Sequence, residues 1–190
     1  MKKRTEVKTF TILNLEKEEK WLNQMEAEGW HLVDVYNKDT YEFEECEPGK
    51  YVIRLELLEK SINKPESEKY IDFIEEIGAT YISNRGNLVY FSGLAEKKFE
   101  LFSDNTSRIN YYSRIIKILR LLTISCWINT ITPLLSFLRN LIFWKMEDNF
   151  AWLFLVFAVI ELVLSVWVSI GLSKYIKKRK ALKEEQKLYE

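Results

Sequence analysis

Two long stretches near the carboxyl end restrict this chain more than any other feature. Leu121 to Leu138 is eighteen residues without a charge, and Phe150 to Ser173 is twenty-four residues with one, Glu161. A helix needs about 20 mostly apolar residues to cross about 30 Å of hydrocarbon. The second run qualifies outright. The first qualifies if it starts near Ile118 and Arg120 snorkels to the headgroups, or if it continues past Arg139 through Leu141, Ile142, Phe143 and Trp144. Pro133 inside it predicts a kink, which membrane helices tolerate when neighbours satisfy the released carbonyl. Buried helices of a soluble bundle would carry a polar stripe every three or four residues, and the second run is read as having none. The expectation is a transmembrane hairpin over 121–173, with helices at about 118–140 and 150–173. It turns at Lys145-Met146-Glu147-Asp148-Asn149, and Trp144, Trp152 and Trp167 suit interfacial depth.

The net charge of zero hides a split. Residues 1–107 hold 15 Lys+Arg against 22 Asp+Glu, a balance of −7, and residues 108–190 hold 13 against 6, a balance of +7. An acidic front part argues against direct nucleic-acid binding. The cations cluster outside the hairpin: Arg108, Arg114, Lys117 and Arg120 precede it, and Lys174, Lys177, Lys178, Arg179, Lys180 and Lys183 follow it. Only Arg139 and Lys145 lie near its turn. The positive-inside rule then puts both termini in the cytoplasm, as in a multi-pass inner-membrane protein. The opening MKKRTEVKTF lacks an apolar core and is not expected to be a secretory signal. Cys46 and Cys126 offer no disulfide framework and no zinc spacing.

Residues 103–120 form the expected connector. Ser103-Asp104-Asn105-Thr106 can cap a helix on which Ile109, Tyr112, Ile115, Ile116 and Leu119 share one face. Such a helix can lie against the bilayer or pack on the preceding domain, or do both. Headgroup contacts are expected from Arg114, Lys117, Arg120, Lys177, Lys178, Arg179 and Lys180, the last four in a basic helical tail, 174–190.

Residues 1–102 read as an α+β domain. Thr5 to Leu13 alternates as a strand, and Asn14 can cap a helix with Leu15, Leu22 and Met25 on one face and Gly29 as its stop. Strands follow at Trp30–Tyr36, 41–44 and Tyr51–Leu58. A second helix runs to Ile77, Gly78 stops it, and a hairpin turns at Asn84-Arg85-Gly86-Asn87. EEKWLNQMEAEGWHLV overlies SEKYIDFIEEIGATYI at an offset of 49, matching Trp21 with Tyr70, Met25 with Ile74 and Gly29 with Gly78. The expectation is a duplicated βαββ unit of ferredoxin-like type: a mostly antiparallel sheet with two helices on one face.

Catalytic chemistry finds little material. His31 is the only histidine, and no metal site can be assembled around it. Cys46 lies among Glu44, Glu45 and Glu47, acids that raise a thiol pKa. The acidic residues are read as sitting mostly on helix faces, where a solvated role suffices. No phosphate loop and no G-x-S-x-G is present, and no cofactor is expected. The dense aromatics suit strand cores. A second use for them is a site for an amphipathic cation, built from Trp30 and Tyr41 with Glu56 or Asp34. In the hairpin, Glu161 and Asn129 stand at similar depth and are expected to pair, since an intramembrane acid is costly.

The elements EEKWLNQMEAEGWHLV, YEFEECEPGKYVIRLELL and ELFSDNTSRINYYSRI resemble those of the bacterial family catalogued as domain of unknown function 2812. The resemblance runs over about the first 115 residues. It implies membrane helices after the domain and a setting beside PadR-type regulators, but no catalytic residue. Trp21, Gly29, Trp30, Pro48, Gly49, Arg54, Leu55, Ser103, Asp104 and Tyr112 match its signature. The functional expectation is a non-enzymatic, membrane-anchored regulatory or adaptor module acting on a protein partner: a PadR-type regulator, a transporter or a second copy. The alternative is a sensor of amphipathic cations.

Overall fold

The computed structural model describes residues 2–97, 99–102, 105–143 and 150–189. The side chains of 140, 141, 143, 150–152 and 189 are outside that description, as are Ser103, Asp104, Trp144 and the turn at 145–149. The expectations for Trp152 and those residues therefore lie outside the described residues. The chain divides into two compact units, Met1–Tyr111 and Tyr112–Glu190.

The first unit contains β1 (Lys3–Val7), α1 (Leu15–Ala27), β2 (Trp30–Tyr36), β3 (Thr40–Glu45), β4 (Tyr51–Leu57), α2 (Pro65–Glu76), β5 (Ala79–Arg85) and β6 (Leu88–Leu94). It is α+β, and its order is βαββ twice. Both repeats place the third strand in the middle: β1-β3-β2 and β4-β6-β5, with every pairing antiparallel.

The duplication extends to fine detail. Gly29 and Gly78 end the two helices at φ +86° and +100°, a region that favours glycine. One residue of bulge follows in each next strand, between Leu32 and Asp34 and between Tyr81 and Ser83. Beside each bulge a helix carboxylate accepts a strand N–H: Glu26 from Leu32 at 3.1 Å and Glu75 from Tyr81 at 3.0 Å. Each of these features recurs 49 residues on.

Three expectations are corrected. First, β1 stops at Val7, because a 3-10 turn at Ile12–Asn14 turns the chain into α1 and leaves Asn14 making no side-chain cap. Second, there are two three-stranded sheets instead of one. Strands β2 and β5 run side by side in the same direction, joined by side chains: Ser83 Oγ donates to Asp34 Oδ1 (2.7 Å), and Arg85 Nη1 to the Lys38 carbonyl (2.8 Å). Third, the helices do not share a face. Val89 and Phe91 of β6 enter a core with Ile74 of α2. Tyr90 between them points to the opposite face, where its hydroxyl reaches Glu18 of α1. The second sheet is thus covered on both sides, which explains why Leu88 to Gly93 are all buried.

Helix α1 also closes the free edge of β4. The Asn23 amide bonds both the N–H (2.9 Å) and the carbonyl (3.0 Å) of Ile53, and Glu19 Oε2 accepts the Leu55 N–H at 3.1 Å. An edge so occupied cannot pair with another chain. The outer face of the first sheet is solvated by contrast, with Lys3 paired to Glu42 and Glu44.

The second unit is built on α3 (Asn105–Phe143) and α4 (Phe150–Tyr189). The connector and the first apolar run are one helix of 39 residues, about 58 Å long at 1.5 Å per residue. Its first turns belong to the first unit: Tyr111 stacks on Phe102 at 5.1 Å, and Arg108 bonds Glu100 at 2.9 Å. The expected apolar face is buried at Ile109, Ile115, Ile116 and Leu119.

Inside the pair, α3 turns inward Tyr112, Ile116, Leu119, Thr123, Cys126, Thr130, Pro133 and Phe137. Helix α4 turns inward Phe154, Ala158, Glu161, Ser165, Val168, Leu172, Tyr175, Arg179 and Leu182. Both series advance by alternating steps of four and three, the seam of a left-handed helix pair. Thr130 Oγ1 meets Ser165 Oγ at 2.9 Å, and Trp127 Nε1 donates to Ser169 Oγ at 3.3 Å. The polar stripe read as missing from the second run is therefore present: Glu161, Ser165, Ser169 and Ser173 form a row at four-residue spacing. Its first part, Glu161 and Ser165, faces the partner helix, Ser169 is half-buried and takes the Trp127 indole N–H, and Ser173 is exposed. The large apolar residues face outward, with Leu121, Leu135, Val163 and Ile170 each at least 60% exposed. Both helices are long and apolar enough to cross a membrane.

Thr130 and Ser165 make a direct test of this seam. With Cys126 replaced by Ala, Thr130→Cys with Ser165→Cys is expected to form an oxidant-induced crosslink, and Asn129→Cys with Glu161→Cys is not; gel mobility reads the result.

Candidate functional site

The buried stripe of α1 runs Leu15, Glu18, Leu22, Met25. Glu18 thus occupies a core position and is fully buried. An isolated buried carboxylate is prohibitively costly, so it must be paired and hydrogen-bonded. Its partners come from both repeats. Oε1 accepts the hydroxyls of Tyr41 (2.7 Å) and Tyr90 (2.5 Å), and Oε2 accepts Arg85 Nη2 at 2.8 Å. Arg85 Nη1 also donates to the Tyr41 hydroxyl at 3.3 Å.

Aromatic rings enclose this group. Trp21 meets Tyr41 edge-on at 4.9 Å, Phe10 lies 5.6 Å from Trp21, and Lys8 Nζ stands 4.6 Å over the Trp21 ring. Burial first, and the Glu18 charge second, push both tyrosines well above the usual phenol range. They remain neutral donors. Arg85 is held above its ordinary value: burial acts to lower it, but Tyr90, Glu18 and Tyr41 outweigh that. On its outer side Arg85 lines a cleft of about 390 Å³ between the β2–β3 and β5–β6 turns, with Val35, Tyr36, Asn37, Lys38, Asn84 and Gly86. The guanidinium therefore separates an open cleft from a buried carboxylate.

A second acid, Glu26, is buried beneath β2. Its Oε1 lies 2.9 Å from His31 Nδ1, and its Oε2 has no hydrogen-bond partner among the described residues. Tyr51 stacks on the imidazole at 4.3 Å. The nearby Cys46 thiol is raised, by burial first and by Glu26 next, with Glu47 adding to it. It is not an activated nucleophile. Among the described residues no group of three His, Cys, Asp or Glu could hold a metal ion.

The residues expected to form a cation site do not meet. Tyr41 alone reaches the carboxylate cluster. Glu56 is buried on the other face of the second sheet, where Tyr70 donates to it at 3.2 Å. Asp34 is exposed at the β2–β5 junction, and Trp30 lies half-buried under Arg4, 5.5 Å away. The assignment of acids to solvated helix faces fails for Glu18 and Glu26. Spacing could have found Glu18, since it fills the gap between Leu15 and Leu22 on the apolar face of α1.

In the hairpin, Glu161 is half-buried on the seam while the Asn129 side chain is exposed, and among the described residues no hydrogen bond joins them. Thr130 and Ser165 make the contact instead. Pro133, which has no N–H, removes the in-helix partner of the Asn129 carbonyl. Of the expected headgroup cations, Lys117, Arg120, Lys177 and Lys180 are exposed, and Arg114 and Lys178 are half-buried. Arg179 turns to α3 and donates to Ser113 Oγ at 3.5 Å.

A family model described as Protein of unknown function (DUF2812) matches residues 14–124. The chain belongs to this family. No curated protein and no solved structure is similar enough to count as a match. In this DUF2812 protein the matched region takes in Glu18, Tyr41, Arg85 and Tyr90, and it ends within α3, inside the first apolar run.

Removing Glu18 strands two phenols and a guanidinium. Glu18→Ala is expected to cost about 3–5 kcal/mol, and Glu18→Ala with Arg85→Met less, in urea unfolding of the detergent-solubilised chain. Raised phenol values add a pH signature. The folded state keeps protons that the unfolded chain loses above pH 10, so this stability is complete below pH 10 and falls as pH rises beyond it. Unfolding midpoints of wild type are expected to drop over that range more steeply than those of Tyr41→Phe with Tyr90→Phe.

Proposed function

We propose that the protein is a non-enzymatic, membrane-anchored module, inserted by its hairpin with both termini in the cytoplasm, whose α+β domain acts through protein contacts. The observation that carries this reading is the inside-out helix pair. Thr130, Ser165 and Glu161 face the seam, and most of the large apolar side chains of both runs face out. Water would favour the reverse arrangement, and lipid favours this one. Orientation follows from the cations flanking the outer ends of the hairpin. The family resemblance supplies the partner class, a PadR-type regulator, with a transporter or a second copy as the other protein partners. The acidic balance of the first unit disfavours direct nucleic-acid contact.

A second reading rests on the Glu18 cluster. A carboxylate, two phenols and an indole, shut from a cleft by one arginine, would suit an amphipathic cation that displaces Arg85. Tetraphenylphosphonium would then raise the melting temperature of wild type and not of Glu18→Gln.

Topology tests the first reading. In a Cys46→Ser, Cys126→Ser background, an impermeant maleimide added to intact spheroplasts is expected to label Asp148→Cys but not Glu185→Cys, and both after lysis. Labelling of Glu185→Cys from outside would reverse the orientation. Recovery of the chain in the soluble fraction would remove the anchor altogether.

A further inference from the structure

We infer that the hairpin carries a site for an anionic phospholipid, built where its apolar length gives way to its basic length. The inference rests on the membrane-anchored reading. One side of the helix pair opens as a cleft of about 670 Å³, within the range of about 300–1,000 Å³ that small-ligand pockets span. Its apolar wall is Trp127 of α3 with Val166 and Ile170 of α4. Its cationic wall, one turn further along α4, is Lys174, Lys177 and Lys178. Between them stand Ser169 and Ser173. The boundary falls at Ser173, the last residue of the second apolar run.

That arrangement selects an amphiphile. A free anion would make no use of the indole and the two aliphatic side chains, and an apolar chain alone would make no use of the lysines that line the cleft. The serine hydroxyl protons are already used: Ser169 donates to the Ser165 carbonyl (2.7 Å) and Ser173 to the Ser169 carbonyl (2.9 Å). Recognition of negative charge therefore falls to the lysines. Ile170 is 64% exposed and Trp127 39%, so an acyl chain can lie along them from the side. Basic pockets between helices at the cytoplasmic interface suit acidic headgroups, and each cation near the surface strengthens the attraction.

The test uses the full chain, delipidated in detergent, with dioleoylphosphatidylglycerol and dioleoylphosphatidylcholine as probes and native mass spectrometry as the readout. Wild type is expected to bind the anionic lipid at least about tenfold more tightly than the zwitterionic one, given three cations at the site. Lys174→Gln with Lys177→Gln and Lys178→Gln is expected to abolish the preference. Lys180→Gln with Lys183→Gln, which removes charge outside the cleft, is expected to keep it. Ser173→Trp, which fills the cleft without changing charge, is expected to weaken anionic lipid binding as well. Equal binding of the two lipids, or a triple variant that behaves as wild type, would overturn the proposal. So would displacement of the lipid by inorganic phosphate at equal concentration, which would make the ligand a free anion. Failure of the anchored reading itself shows separately, as a chain that stays soluble without detergent.

Discussion

One buried carboxylate organises the first unit. Glu18 accepts hydrogen bonds from Tyr41 in its own repeat and from Tyr90 and Arg85 in the other. Each partner is needed, since a buried polar network is stable when every member is satisfied and costly when one is not. The network requires α1 to lie between its own sheet and the back of the second sheet. From there α1 can also lend Asn23 and Glu19 to the edge of β4. Domain closure, edge protection and the contact between repeats thus depend on a single side chain in the first helical turn.

The repeats share a plan and differ where they join. Bulge, carboxylate tether and helix stop recur at a spacing of 49 residues because each solves a local problem of the βαββ unit. The position equivalent to Glu18 is Ser67, whose hydroxyl donates to the Lys60 carbonyl at 3.3 Å. The position equivalent to Arg85 is Tyr36, which is exposed. A symmetric joint would bury two carboxylates, and the asymmetry leaves one, matched to one guanidinium.

The second unit follows the opposite solvent rule. Its seam holds Thr130, Cys126, Ser165 and Ala158, small enough for close approach, and the Thr130 and Ser165 hydroxyls bond each other. Helices of about 58 and 60 Å are longer than the roughly 30 Å of a bilayer core. The apolar run of α4 ends at Ser173, and the stretch that follows is basic.

The linear order of residues by itself determined the α+β class, the repeat, the two helices long and apolar enough to cross a membrane, and the charge split. All of these follow from local periodicity, helix stops and run length, which neighbouring residues decide between themselves. Only the tertiary structure decided that the sheets are separate, that the helices take opposite faces of the second sheet, and that Glu18 is the acid at the centre. It also decided that Thr130 and Ser165, instead of Asn129 and Glu161, meet across the hairpin. The physical reason is the same in each case. Rotation of a helix about its axis and the side of a sheet it covers are set by partners distant in sequence, and burial of a charge is tolerable only once those partners, Tyr90 and Arg85 among them, are in place.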